Sequence, residues 1–89
     1  MILGKVMGSA VATIKDKSLT GLKLLVVVRY DASGLATGEQ IVAADTVGAG
    51  PGDRVLVVTG SSARFTSATV ESSVDAAIVA IVDQLDIEV

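Results

Sequence analysis

From Ile2 to Ile14 the even positions carry Ile2, Gly4, Val6, Gly8, Ala10, Ala12 and Ile14, whereas the odd positions mix Leu3, Lys5, Met7, Ser9, Val11 and Thr13. This period of two predicts a strand with one inward face. Gly and Ala on that face permit close backbone approach and the curvature that a tightly closed barrel needs. Lys15 to Ser18 reads as a polar loop. The stretch Leu22–Tyr30 predicts a second strand, and its unbroken apolar run Leu24 to Val28 predicts burial on both faces. In a small barrel the outer face is buried only by a neighbour.

Asp31-Ala32-Ser33-Gly34 has the composition of a turn, Gly38–Ala44 of a third strand, and Asp45–Asp53 of a glycine-rich loop. Arg54–Thr59 predicts a fourth strand. Ser61–Arg64 predicts a helix of no more than two turns, with a serine as N-cap and Arg64 near the negative end of its dipole. Thr66–Ser73 reads as an exposed connection. For residues 76–82 two periods compete. Val74, Ile78, Ile81, Val82 and Leu85 fit a helical stripe, but the short, β-branched core Ile78 to Val82 favours a buried strand, and we read it so. The acidic tail Asp83–Val89 is expected at the surface. The expectation is a mainly β fold of about five strands with one short helix, in a single domain over residues 1–89.

Composition adds a demand for partners. A domain of 89 residues leaves roughly a third or more of its unfolded-chain surface exposed. Yet 51% of this sequence is hydrophobic and its mean hydropathy is +0.67. No apolar run approaches the roughly 18 residues of a spanning helix, and Lys5, Gly4, Gly8 and Ser9 break any resemblance of the N-terminus to a secretion signal. No membrane association is expected, and self-association is the remaining way to cover the surplus.

The sequence contains no Cys and no His, which removes disulfides, thiol nucleophiles, Ser-His dyads and ordinary zinc sites. It carries 10 acidic against 7 basic residues and only two aromatics, Tyr30 and Phe65, a poor basis for binding nucleic acid. No cofactor is expected.

Gly48-Ala49-Gly50-Pro51-Gly52 superficially resembles a phosphate-cradling loop, but a strand rather than a helix is predicted downstream, no lysine follows, and Pro51 removes a donor. The loop reads as a tight connection with positive φ angles, or as glycines that let several copies converge on a symmetry axis. Ser61, Ser62, Ala63 and Arg64 lack the elbow motif and the histidine of a nucleophile site. The alternatives are a capped turn, or an interface in which Arg64 makes planar bidentate contacts to a neighbour. Asp45, Asp53, Asp75 and Asp83 lie at predicted strand ends, where turn chemistry is the ordinary role and acid-base or metal chemistry the alternative.

Five motifs occur in order: Leu3 to Gly8, Gly21 to Val26, Asp45 to Asp53, Gly60 to Arg64, and Val74 to Asp83. Together they resemble the EutN/CcmL family across nearly the whole chain. Ser73 stands where the family often has proline, and Asp53 where glutamate is usual. The resemblance implies a small closed β-barrel related to the OB-fold, assembled as a ring-shaped homopentamer at the vertices of a bacterial microcompartment, a carboxysome-like protein shell in the cytoplasm. It implies a structural protein rather than an enzyme, with hexameric and trimeric shell proteins as partners. By the same resemblance Leu22, Leu24, Val26 and Val28 would pack between subunits. Gly48, Ala49, Gly50, Pro51 and Gly52 would approach the five-fold axis, and Ser61, Ser62, Ala63 and Arg64 would meet neighbouring shell tiles. The competing readings are an OB-fold module for nucleic acid or a small ligand, and a carrier domain modified at Lys15 or Lys17.

Overall fold

A computed structural model of the chain describes residues 1–12, 17–19, 21–64 and 74–84. Its strands are β1 (Ile2–Ala10), β2 (Leu24–Tyr30), β3 (Ala36–Asp45), β4 (Arg54–Thr59) and β5 (Ala76–Ile81). They close into a barrel in the order β1-β2-β3-β5-β4. All pairs are antiparallel except β3 with β5, which meet in parallel through two rungs, Ala44 with Ala77 and Asp45 with Ile78. The Thr46 hydroxyl adds a third tie there, donating to the Ile78 carbonyl at 2.6 Å.

The core follows from the alternation. Val6, Leu25, Val27, Ala43, Ala49, Val55, Val57, Ala76 and Ile78 are buried together, with Ile2 and Ile41 packed against them. Buried positions alternate along β2 and β4 and from Gly4 to Val6 of β1, whereas Ala43–Ala44 and Ala76–Ile78 are buried consecutively where β3 meets β5. Gly4 is required rather than merely tolerated. A Cβ there would collide with Val27 Cγ1 and lie 2.7 Å from the Val28 carbonyl oxygen. Gly8 faces open space, so close approach explains Gly4 and not Gly8. The β1–β2 register shifts between Val6 and Gly8, and this bulge leaves Met7 exposed.

Several boundaries differ from the sequence reading. β1 ends at Ala10, and residues 13–16 lie outside the described part, as do the connection 65–73 and the tail beyond Gln84. β3 begins two residues before Gly38 and ends one after Ala44, because its first half forms a hairpin arm with β2 and is exposed from Ala36 to Gln40. Residues 76–81 form a strand and no helix, as β-branching favours. The expected short helix is a 3₁₀ turn, Gly60–Arg64, that opens on a glycine rather than on a serine cap. A second 3₁₀ turn spans Lys17–Leu19, overlapping the end of the loop read over Lys15 to Ser18.

Candidate functional site

Three regions singled out by sequence occupy different parts of the barrel: the glycine loop, the 3₁₀ turn, and the outward face of β2. The glycine loop is anchored to β1. The Gly52 amide donates to the Val6 carbonyl at 2.8 Å, and the Val6 amide donates to Asp53 at 2.9 Å. Within the loop, Asp45 Oδ1 accepts from the amides of Val47 and Ala49 at 3.1 and 3.2 Å, and Asp53 Oδ2 accepts from the Gly50 amide at 2.8 Å. The Lys23 ammonium lies 3.5 Å from the Ala49 carbonyl. Gly48 and Gly52 adopt positive φ of 77° and 90°, which only glycine accepts without strain.

One member of this loop is not available at its surface. Ala49 is 1% exposed and belongs to the core, so its methyl group anchors the loop from below. Gly48, Pro51 and Gly52 are exposed and Gly50 is half-buried. An alanine inside a run of glycines gave no hint of burial.

The 3₁₀ turn packs against β4 and β5, and the Gly60 amide donates to the Asp75 carbonyl at 2.8 Å. Ser61 is exposed, whereas Ala63 is fully buried and therefore faces the protein's interior. The side chains of Ser62 and Arg64 lie outside the described part. On β2, Leu25 and Val27 point into the core, and Leu24, Val26 and Val28 point outward and remain half-buried, as does Leu22 before the strand. They share the outer surface with residues that sequence did not single out, Val42 at 51% and Met7 at 60% exposed. β3's Val42 pairs with Val26, which places it in the same stripe.

At the mouth of the barrel an open cleft of about 490 Å³ lies between the start of β1 and the β2–β3 arm. Its Arg29 and Glu39 pair with each other at 3.2 Å, and its Asp31 is engaged in its own turn. Asp31 accepts from the Ser33 hydroxyl and from the amides of Ser33 and Leu35. The Ser33 hydroxyl, then the Leu35 amide, hold its carboxyl below the ordinary carboxylate range. Among the described residues, no three carboxylates gather as a metal site would require, and no buried side-chain polar atom lacks a partner. Nor is any described helix long and apolar enough to cross a membrane.

Residues 1–83 match the family described as ethanolamine utilisation protein EutN/carboxysome. The chain belongs to the EutN/CcmL family. It is 49% identical to the bacterial microcompartment shell vertex protein GrpN of Rhodospirillum rubrum over 86 residues, 97% of both chains. It is 47% identical to the carboxysome shell vertex protein CcmL of Synechococcus elongatus, over 99% of this chain and 89% of that one. Among solved structures, the GrpN pentameric microcompartment shell protein from Rhodospirillum rubrum superposes with a TM-score of 0.88 at 48% identity, covering 99% of each chain. CcmL of Gloeobacter violaceus superposes with a TM-score of 0.94 at 35% identity, over 99% of this chain and 91% of the other. The closed five-stranded barrel is thus the EutN/CcmL fold. Full-length relatives in this family are named for shell vertices.

Proposed function

We propose that five copies of this chain form a ring that closes a five-fold vertex of a bacterial microcompartment shell in the cytoplasm, in a structural and not a catalytic role. The observation that carries this is the superposition on a pentameric shell protein at 48% identity over 99% of the chain. The physical chemistry agrees with it. The barrel closes on β3 only through Ala44 and Asp45, so neighbours can meet it through side-chain faces and along the far edge of the β2–β3 arm. A cyclic ring requires two different faces per copy, each fitting the other. The half-buried outward residues Leu22, Leu24, Val26 and Val28 are the packing surface we assign to one of them, extended by Val42 and Met7.

The glycine loop is the part we assign to the axis, with Gly48, Gly50, Pro51 and Gly52 presenting backbone and Ala49 fixing them from the core. Small residues matter there because five copies of any bulkier loop would crowd one another. The 3₁₀ turn is assigned to contact with hexameric or trimeric shell tiles, through Ser61, Ser62 and Arg64, with buried Ala63 holding the turn on β4 and β5.

Native mass spectrometry of the purified protein tests the ring: a species of five chains is expected, and a stable monomer or dimer would remove the reading. Arg64→Ala tests the tile contact separately. Pentamers should persist while shells assembled from them fail to close, and unchanged closure would end that assignment.

A further inference from the structure

The outward surface that runs from β4 across β1 and β2 to β3 is apolar over Leu3, Met7, Val26, Val28, Val42 and Leu56, and it carries two charges. Both are positive. Lys5 of β1 and Arg54 of β4 are direct cross-strand partners. Their neighbours Gly4, Val6 and Val55 are buried, so both side chains emerge on the outer face. Cβ atoms of such partners sit about 5 Å apart, and like charges placed there repel. Arg54 donates to the Asp83 carbonyl at 3.1 Å, a neutral acceptor. The one ion pair among the described residues joins Arg29 to Glu39, so neither Lys5 nor Arg54 has a carboxylate within its own described chain.

Lys5, on its other side, pairs with Val28, whose apolar side chain cannot relieve the repulsion. Both cations are half-buried, and their stems lie along apolar neighbours. The chain as a whole has a net charge of −3; Asp31 and Glu39 line the cleft by the start of β1, and Asp83 reaches Arg54 through its backbone carbonyl without its carboxylate forming an ion pair there. A surface with cations only, on a chain in excess of acid, is complementary to another region of the same chain. That meets the demand a cyclic ring makes on its two unlike faces.

From this we infer that Lys5 and Arg54 form an intersubunit carboxylate site, filled in the assembly by an acidic side chain of the adjoining copy. The inference rests on the ring reading above and deepens it. Binding of a carboxylate between two cations explains how a repulsive pair is held in an otherwise apolar face, and it fixes the register of one copy against the next.

The test starts from the wild-type chain, whose pentamer fraction is followed by native mass spectrometry from low to high salt. The pentamer should weaken with salt, because exposed and half-exposed charge pairs are screened. Lys5→Glu should leave the circular dichroism spectrum of the barrel intact and lower the pentamer fraction at least tenfold at fixed concentration. Lys5→Met keeps the apolar stem, so if Lys5→Glu fails to fold, Lys5→Met and Arg54→Gln carry the test through a flattened salt dependence.

Carbodiimide cross-linking of mixed ¹⁵N-labelled and unlabelled chains should join Lys5 to a carboxylate of the other isotope. A wild-type chain that makes no pentamer overturns the ring and this site together. A wild-type pentamer whose Lys5 and Arg54 variants assemble with unchanged salt dependence, and whose Lys5 gives no mixed-isotope link, overturns this site alone.

Discussion

Two turns of this barrel are built around aspartate and behave as opposites. The turn between β2 and β3 is self-contained. Asp31 Oδ1 gathers the Ser33 and Leu35 amides, everything from Asp31 to Ser33 is exposed, and the arm it closes stands clear of the core. The loop between β3 and β4 uses Asp45 and Asp53 to hold its own amides in the same manner, but it also sends Ala49 into the core and bonds to β1 through Gly52 and Asp53. The difference teaches that a carboxylate on nearby amides shapes a turn, whereas burial and backbone bonds to another strand fix where that turn sits. A solvated turn can move without cost to the barrel. The glycine loop cannot, and a loop that must present its backbone at a fixed place needs that second kind of support.

The sharpest way to break this contrast is to lift the glycine loop off the core. Ala49→Leu adds three carbons to a closed interior and should cost about 3 kcal/mol, at the upper end for overpacking. Thermal unfolding should show the loss, with faster amide exchange at Gly50 and Gly52. Next is the backbone itself. Gly52→Ala forces a side chain into φ near +90° and should cost about 1 to 2 kcal/mol by denaturant titration.

Removing the carboxylate that closes the loop is expected to do less. Asp53→Ala leaves the Gly50 amide to water and should cost about 1 kcal/mol, since the group is half exposed and water replaces part of the bond. The smallest effect belongs to Asp31→Ala, and its sign follows from the carboxyl's lowered pKa. A depressed carboxylate stabilises the fold above its unfolded value, near 3.8, and that contribution disappears as pH falls through the folded value. Wild type should therefore melt slightly above Asp31→Ala at pH 7, and the two melting curves should converge well below pH 4. A larger loss for Asp31→Ala than for Asp53→Ala would reverse the contrast between the turns.

Much of the barrel was legible because alternation and β-branching are local signals. Ile2 to Val6 reads correctly since its even positions point inward, but beyond the bulge at Met7 the even positions Gly8 and Ala10 pair with Val26 and Leu24 on the outward face. Residues 76–81 read as strand because Ile78 and Val79 are branched at Cβ. The exposed start of β3 was not legible. Ala36 and Thr37 are held in the ladder by pairing with β2 and not by burial, so no hydrophobic pattern marks them. Bulges at Met7 and near Val79 leave no trace in composition either, since they arise from how paired strands fit around a closed barrel. For the candidate surfaces, the outward stripe of β2 was visible as an apolar run. Its extension over Met7 and Val42, and the meeting of Lys5 with Arg54, depend on which strands become neighbours.

The parallel junction of β3 with β5 is the barrel's clasp. Two rungs and the Thr46 hydroxyl join positions that for Thr46 and Ile78 are 32 residues apart, the kind of distant contact whose closure entropy delays its formation. The β1–β4 pair joins positions still more distant in sequence but holds them by four rungs against two here, so this seam should be the first to gape in native-state exchange. It also guards the register. Sliding β5 by one residue would turn Ile78 from the core to the outside, and the threonine that grips the Ile78 carbonyl is the catch that prevents the slip.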